Sequence, residues 1–161
     1  MIAIILAGGT GTRLWPYSRN LSPKQFLNLG SSQESLFQET SKRLESLVSS
    51  KHIYIVGADA HKKLLRQQIL QIFPDFPLDQ LLLEPFARNT APAILWSILR
   101  IPESKRNVPV VVLASDHLIK NLQNFNHALK LGERLASSGY IVTFGIKPDR
   151  AETGYGYIKS G

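Results

Sequence analysis

Short apolar runs, each followed by a helix-length amphipathic stretch, constrain this chain more than any other feature. Residues 2–6, 52–56, 80–83, 109–114 and 140–146 are rich in Ile, Val and Leu and read as strands. Where such runs do not alternate with polar residues, they suit strands buried on both faces. Residues 109–114 are expected to be the most deeply buried. Between the runs, residues 35–48 carry Leu36, Phe37, Thr40, Leu44, Leu47 and Val48 on one helical side. Asp59 is a candidate cap for a helix whose stripe is Leu64, Leu65, Ile69 and Ile72, ending before Pro74. A third helix reaches about Arg100, with Pro92 tolerable only in its first turn. A fourth, residues 121–137, turns Leu122, Phe125, Leu129 and Leu135 inward. Alternation of this kind predicts an α/β fold: three layers, Rossmann-like, a mostly parallel sheet with helices on both faces.

Polar clusters fall repeatedly just after the strands, on the sheet edge where open α/β folds bind ligands. Leu6 and Ala7 lead from the first strand into Gly8-Gly9-Thr10-Gly11-Thr12-Arg13. Glycines let backbone N–H groups close on a phosphate, and Arg13 supplies a cation to clamp it. The match to a dinucleotide fingerprint fails at its third glycine, where Leu14 stands, and no acidic residue ends the second strand. No Gly-Lys-Ser/Thr marks a P-loop either. A plain tight turn would need less glycine and no arginine, so the loop reads as a ligand site.

Asp116 follows the aliphatic run 110–113 and Ala114. It must face the ligand edge or be paired. A Mg²⁺ ligand and a capping aspartate fit its position equally, and His117 beside it reads as structural. Lys24 lies in a turn-prone segment, residues 20–26. Arg88 and Asn89 precede Thr90, which can cap the third helix; capping does not account for the cation and amide before it. Glu152-Thr153-Gly154-Tyr155-Gly156, taken alone, is a glycine-rich turn.

At 161 residues the chain amounts to one domain, with 43% hydrophobic and 19% charged residues, as soluble proteins have. Cysteine is absent, so disulfides and thiolate metal sites are excluded. The first apolar run is too short to span a membrane and lacks the basic flank and cleavage site of a signal peptide. A cytoplasmic protein is expected. The net charge of +7 is spread over small pairs, Lys42-Arg43, Lys62-Lys63 and Lys105-Arg106, with Lys147. These read as solvated surface, because no basic stripe with interleaved aromatics suggests a nucleic-acid partner. The last dozen residues run into a new strand without a closing helix, so the front part of a longer protein is expected.

Leu6 to Pro16, with its Trp15-Pro16 ending, and Ser22-Pro-Lys-Gln-Phe26 resemble the opening signature of the sugar-nucleotide pyrophosphorylases. Glu84-Pro-Phe-Ala-Arg-Asn-Thr-Ala-Pro-Ala93 and Ser115-Asp116-His117 are similar to the mannose-1-phosphate guanylyltransferase branch, and Glu152 to Ile158 resembles its sugar-side segment. The resemblance covers the whole chain. It implies a nucleotide-diphospho-sugar transferase fold and transfer of GMP from GTP to mannose 1-phosphate with Mg²⁺. By the same resemblance Gly8, Gly9, Gly11 and Thr12 wrap the nucleotide, and Arg13 and Lys24 hold phosphates and leaving group. Asn89, with Arg88 and Thr90, contributes to the base site; Asp116 binds metal; Gly154, Tyr155 and Gly156 approach the sugar. The family continues with a Glu-Lys segment and a second metal-binding aspartate that these 161 residues lack. Residues 1–161 are therefore expected to be the nucleotide-binding part of a nucleotidyltransferase domain, inactive by itself. Two rivals stay open: a pyrophosphorylase for another nucleotide and sugar phosphate, and a non-catalytic nucleotide-binding module. A homo-oligomer is also left open.

Overall fold

The computed structural model describes residues 1–9, 17–18, 23–29 and 33–159. Its sheet has four strands in the order β3-β2-β1-β4, every pair parallel. They are β1 (Ile2–Ala7), β2 (Ile53–Ala58), β3 (Leu81–Glu84) and β4 (Val110–Ala114). The helices are α1 (Leu36–Lys42), α2 (Lys62–Ile72), α3 (Thr90–Arg100) and α4 (Leu122–Ser137). Alternate residues of the central strands serve opposite faces, as the pleat requires. Ala3, Ile5 and Ala7 pack with Phe37, Leu44, Leu65 and Ile69 beneath α1 and α2. Ile2 and Ile4 pack with Tyr54, Val56, Leu82, Ala93 and Ile101 on the α3 side. The expected three layers are thus present.

Local chemistry explains the helix ends. Ser35 accepts from the Gln38 amide while the Gln38 side chain accepts from the Ser35 amide, a capping box that starts α1. Beyond Lys42 the backbone tightens: the amides of Leu44, Glu45 and Leu47 donate to carbonyls three residues back. The expected 35–48 helix therefore ends in narrow turns, although Leu44 and Val48 stay buried. Asp59 does not cap α2; it opens a short 3-10 turn (Asp59–His61) that feeds the helix. Pro92 sits in the first turn of α3, as its missing N–H demands. Gly57 has a packing role: a Cβ there would lie 2.4 Å from Leu65 Cδ1 in α2.

The far side of the sheet departs from expectation. No described residue of 140–146 is in a strand. The amides of Gly139 and Tyr140 fold back onto Ala136 and Leu135, and Gly139 takes φ 90°. Phe144 then lies against Gly132 of α4, while Ile141 and Ile146 face solvent. With no described strand beyond β4 to pair with, strand-like composition alone does not make a strand. For the same reason β4 is an edge and not the best-buried strand, and Val112 is exposed. Leu129 is buried in α4, but Leu122 and Leu135 point outward, since little covers that flank. Residues 152–159 form a turn and coil in place of the start of a strand. Among the described residues no helix is long and apolar enough to cross a membrane.

Candidate functional site

Parallel pairing brings the carboxyl ends of all four strands to one edge, and the polar side chains gather there. β1 runs into Gly8-Gly9, β3 stops at Glu84, and β4 passes into Ser115-Asp116-His117. The Ser115 amide donates to the Leu6 carbonyl at 3.0 Å, so the β1–β4 ladder reaches the base of the Asp116 loop. Facing it, Pro23 leads into a 3-10 turn (Lys24–Phe26) whose Phe26 packs edge-on against Phe37. That anchoring aims the two residues before Phe26. Lys24 Nζ comes 3.4 Å from Asp116 Oδ2, with the side chains 33% and 42% exposed. Gln25, almost fully buried, donates through Nε2 to the Ala7 carbonyl (3.0 Å) and the Gly9 carbonyl (2.8 Å).

A half-exposed pair of this type contributes about 0–1 kcal/mol. It therefore opens readily for a stronger anion. Gln25 ties down the carbonyls of Ala7 at the end of β1 and of Gly9 in the loop, and no described residue lies within 4 Å of where a Gly9 Cβ would be. An open backbone beside a part-exposed ammonium suits a phosphate chain.

Glu84 is not among the candidates the sequence offers, yet it belongs here. Its Oε2 would sit 3.2 Å from a Cβ on Gly8, so the carboxylate reaches over the end of β2 to the glycine loop. Burial raises its pKa above the ordinary carboxylate value. No described residue gives it a hydrogen bond or ion pair. A signal for it exists: like Asp116, it is an acid directly after an aliphatic strand. Gln25 also has a signal, standing beside Lys24 in the same motif.

Arg43 has none. Read as half of a solvated basic pair, it is instead buried. Its Nη1 donates to the His117 carbonyl at 3.0 Å, its Nη2 donates to Thr40 Oγ1, and its guanidinium lies 5.6 Å from the Phe125 ring centroid. Burial lowers its pKa and Glu39 partly opposes this, leaving a charged guanidinium. The His117 imidazole is mostly exposed, 3.8 Å from Asp116 Oδ1, so its structural role belongs to its backbone carbonyl.

Other expected residues divide cleanly. Leu6 and Ala7 are ladder residues of β1, flanked by Val56 and Gly57. Asn89 occupies the cap position of α3 with φ 71° and no side-chain capping bond, so Thr90 is the first helical residue and not the cap. Arg88, Asn89 and Thr90 are exposed at that helix start. Gly11, Thr12 and Arg13 lie outside the described residues. Gly154, Tyr155 and Gly156 are exposed, and no hydrogen bond or ion pair links them to Lys24 or Asp116. Beside them Arg150, Glu152, Thr153 and Tyr157 help line a shallow hollow of about 500 Å³. Among the described residues no cluster of three metal-ligating side chains occurs. Asp116 offers a metal one carboxylate.

A family model described as Nucleotidyl transferase matches residues 2–161. A mannose-1-phosphate guanylyltransferase of Klebsiella pneumoniae is 43% identical over 161 residues, covering 100% of this chain and 33% of that protein. The alginate biosynthesis protein AlgA of Pseudomonas aeruginosa is 39% identical, over 99% of this chain and 32% of that protein. A crystal structure described as a mannose-1-phosphate geranyltransferase from Thermus thermophilus superposes with a TM-score of 0.84 at 32% identity. It is matched over 96% of this chain and 43% of its own. The chain thus spans about a third of the length of the curated relatives it matches.

Proposed function

Since the chain belongs to the nucleotidyl transferase family, we propose that it is the nucleotide-binding part of an enzyme transferring GMP from GTP to mannose 1-phosphate. The observation that carries this reading is the Lys24–Asp116 pair, 3.4 Å apart at the mouth of the glycine loop. The sugar phosphate is already ionised at neutral pH, so no general base is needed. One of its oxygens bonds to the α-phosphorus of GTP as the bond from that phosphorus to the bridging oxygen breaks, releasing pyrophosphate. The barrier is anion against anion, with charge building on the leaving group. Lys24 exchanges Asp116 for a phosphate oxygen, Arg13 clamps the triphosphate, and the loop amides donate to it.

Mg²⁺ fits this donor set, because it favours one or two carboxylates completed by phosphate oxygens and water. Asp116, part-exposed and in a weak ion pair with Lys24, would take that place. Bound there, the ion would neutralise phosphate charge. Glu84 supports guanine: its two oxygens match the adjacent N1–H and N2–H₂ donors, which no other common base presents. Gly154, Tyr155 and Gly156 are assigned to the sugar side, and a cytoplasmic setting agrees with the absence of cysteine.

Calorimetry of GTP, ATP and UTP against the chain tests the reading, alongside an assay for GDP-mannose and pyrophosphate. GTP binding that strengthens with Mg²⁺, without turnover by these residues alone, is expected. No nucleotide binding, or binding indifferent to the base, overturns it.

A further inference from the structure

Arg43 is a buried cation with no carboxylate in salt-bridge range among the described residues. Its Nε is buried with no hydrogen-bond partner among them. Taking a guanidinium out of water is unfavourable; burial is the main influence on its pKa, and the Glu39 carboxylate only partly opposes it. One of the Arg43 side-chain hydrogen bonds leaves its own helix: Nη1 reaches the His117 carbonyl, 74 residues away in sequence.

That contact completes a clamp. On one side of Asp116, Ser115 is fixed to β1 through the Leu6 carbonyl. On the other, His117 is fixed to the end of α1 through Arg43. The guanidinium is itself held by Thr40, fully buried in α1, and by the Phe125 ring of α4. Both neighbours of Asp116 are therefore pinned through their own backbone atoms, while its part-exposed carboxylate can exchange partners.

We propose that Arg43 is a positioning residue that holds the 115–117 loop so that the Asp116 carboxylate faces Lys24. It touches neither substrate nor reacting atoms and acts through the His117 carbonyl. An arginine suits the task because its planar fork can serve a carbonyl and a hydroxyl at once while lying near a ring, which a lysine cannot do.

The test compares wild type with Arg43→Met, which keeps bulk and loses charge and donors, and Arg43→Lys, which keeps the charge on a single donor nitrogen. Backbone ¹⁵N order parameters need no ligand. Residues 116–118 should fall from the rigid value of about 0.85 to below about 0.7 in Arg43→Met, with Arg43→Lys between and β1 unchanged. Melting should stay within about 4 °C of wild type, because removing a buried charge that Glu39 only partly compensates offsets the lost bonds. Unchanged order parameters at 116–118, or a loss spread through β1 and α1, overturns the proposal.

The consequence for ligands rests on the function proposed above and is read separately. The gain in GTP affinity on adding Mg²⁺ should shrink about tenfold in Arg43→Met, while Mg²⁺-free affinity holds. Equal losses with and without Mg²⁺, or an intact Mg²⁺ gain, overturns the link between Arg43 and Asp116. Should wild type bind no GTP, the proposed function fails, and the order parameters alone decide whether the clamp exists.

Discussion

Replacing Gln25 with methionine keeps the side chain's length and removes both donors that hold the glycine loop. The Ala7 carbonyl is buried, so losing its 3.0 Å bond from Nε2 leaves a lone pair that water cannot reach. Gly9 is exposed, so water can replace the 2.8 Å bond there and that loss sits at the low end of the range. Together the two amount to about 1.5–3 kcal/mol. For a chain of this size that lowers the melting temperature by roughly 3–12 °C. The freed loop must also be re-ordered when it closes on phosphate. At about 1–2 kcal/mol per residue fixed, GTP should bind about tenfold or more weakly. Thermal unfolding and GTP calorimetry on the same preparation read both quantities. Gln25→Glu should be worse, because it turns a carboxylate toward two carbonyls. A methionine variant that melts within about 1 °C of wild type and binds GTP as wild type does would refute the claim that Gln25 shapes the loop.

Lys24→Met should melt like wild type, since its ion pair is half exposed and contributes about 1 kcal/mol at most. GTP titration should nonetheless show at least a tenfold loss, and unchanged affinity counts against Lys24 as a phosphate ligand. Glu84 carries a pKa raised by burial, so folding favours its protonated form. The penalty on its charged form is present above the folded pKa and disappears as pH falls below the unfolded value. Glu84→Gln should therefore be at least as stable as wild type at pH 7, with the difference closing toward pH 4. Its preference for GTP over ATP should be lost; a retained preference removes Glu84 from the base site. Gly57→Ala should destabilise by about 1–3 kcal/mol through Leu65, whose buried side chain has little room to retreat. In a Leu65→Ala background that penalty should vanish in denaturant unfolding, and its persistence would point to another cause.

The parts of this molecule legible in the sequence are those where local pattern and burial agree. Ile2–Ala7 and Ile53–Ala58 are apolar throughout, and only a strand covered on both faces makes use of that. Once they are parallel, Lys24 and Asp116 must meet near one edge, because each follows a glycine loop or an aliphatic run. The resemblance drawn from those same motifs agrees with the family match over residues 2–161. Residues 140–146 mislead because β-branched composition says nothing about whether a neighbouring strand is present. Arg43 misleads for a different reason. A charged residue near a helix end is ordinarily solvated, and what buries this one is the Asp116 loop, a contact that no local window contains. Glu84 and Gln25 lie between these cases, visible in the sequence but given meaning only by Gly8 and Gly9.

The outer flank of β4 has a bearing on how the molecule behaves in a tube. No described strand pairs with its outer amides and carbonyls, which, flanked by exposed Val112, offer a template on which another copy could lay a strand. A shared net charge of +7 opposes such pairing, over a distance that ionic strength sets. Raising salt shortens that reach while leaving the apolar flank as sticky as before, so solutions of this chain should cloud as salt is added and clear on dilution into low-salt buffer.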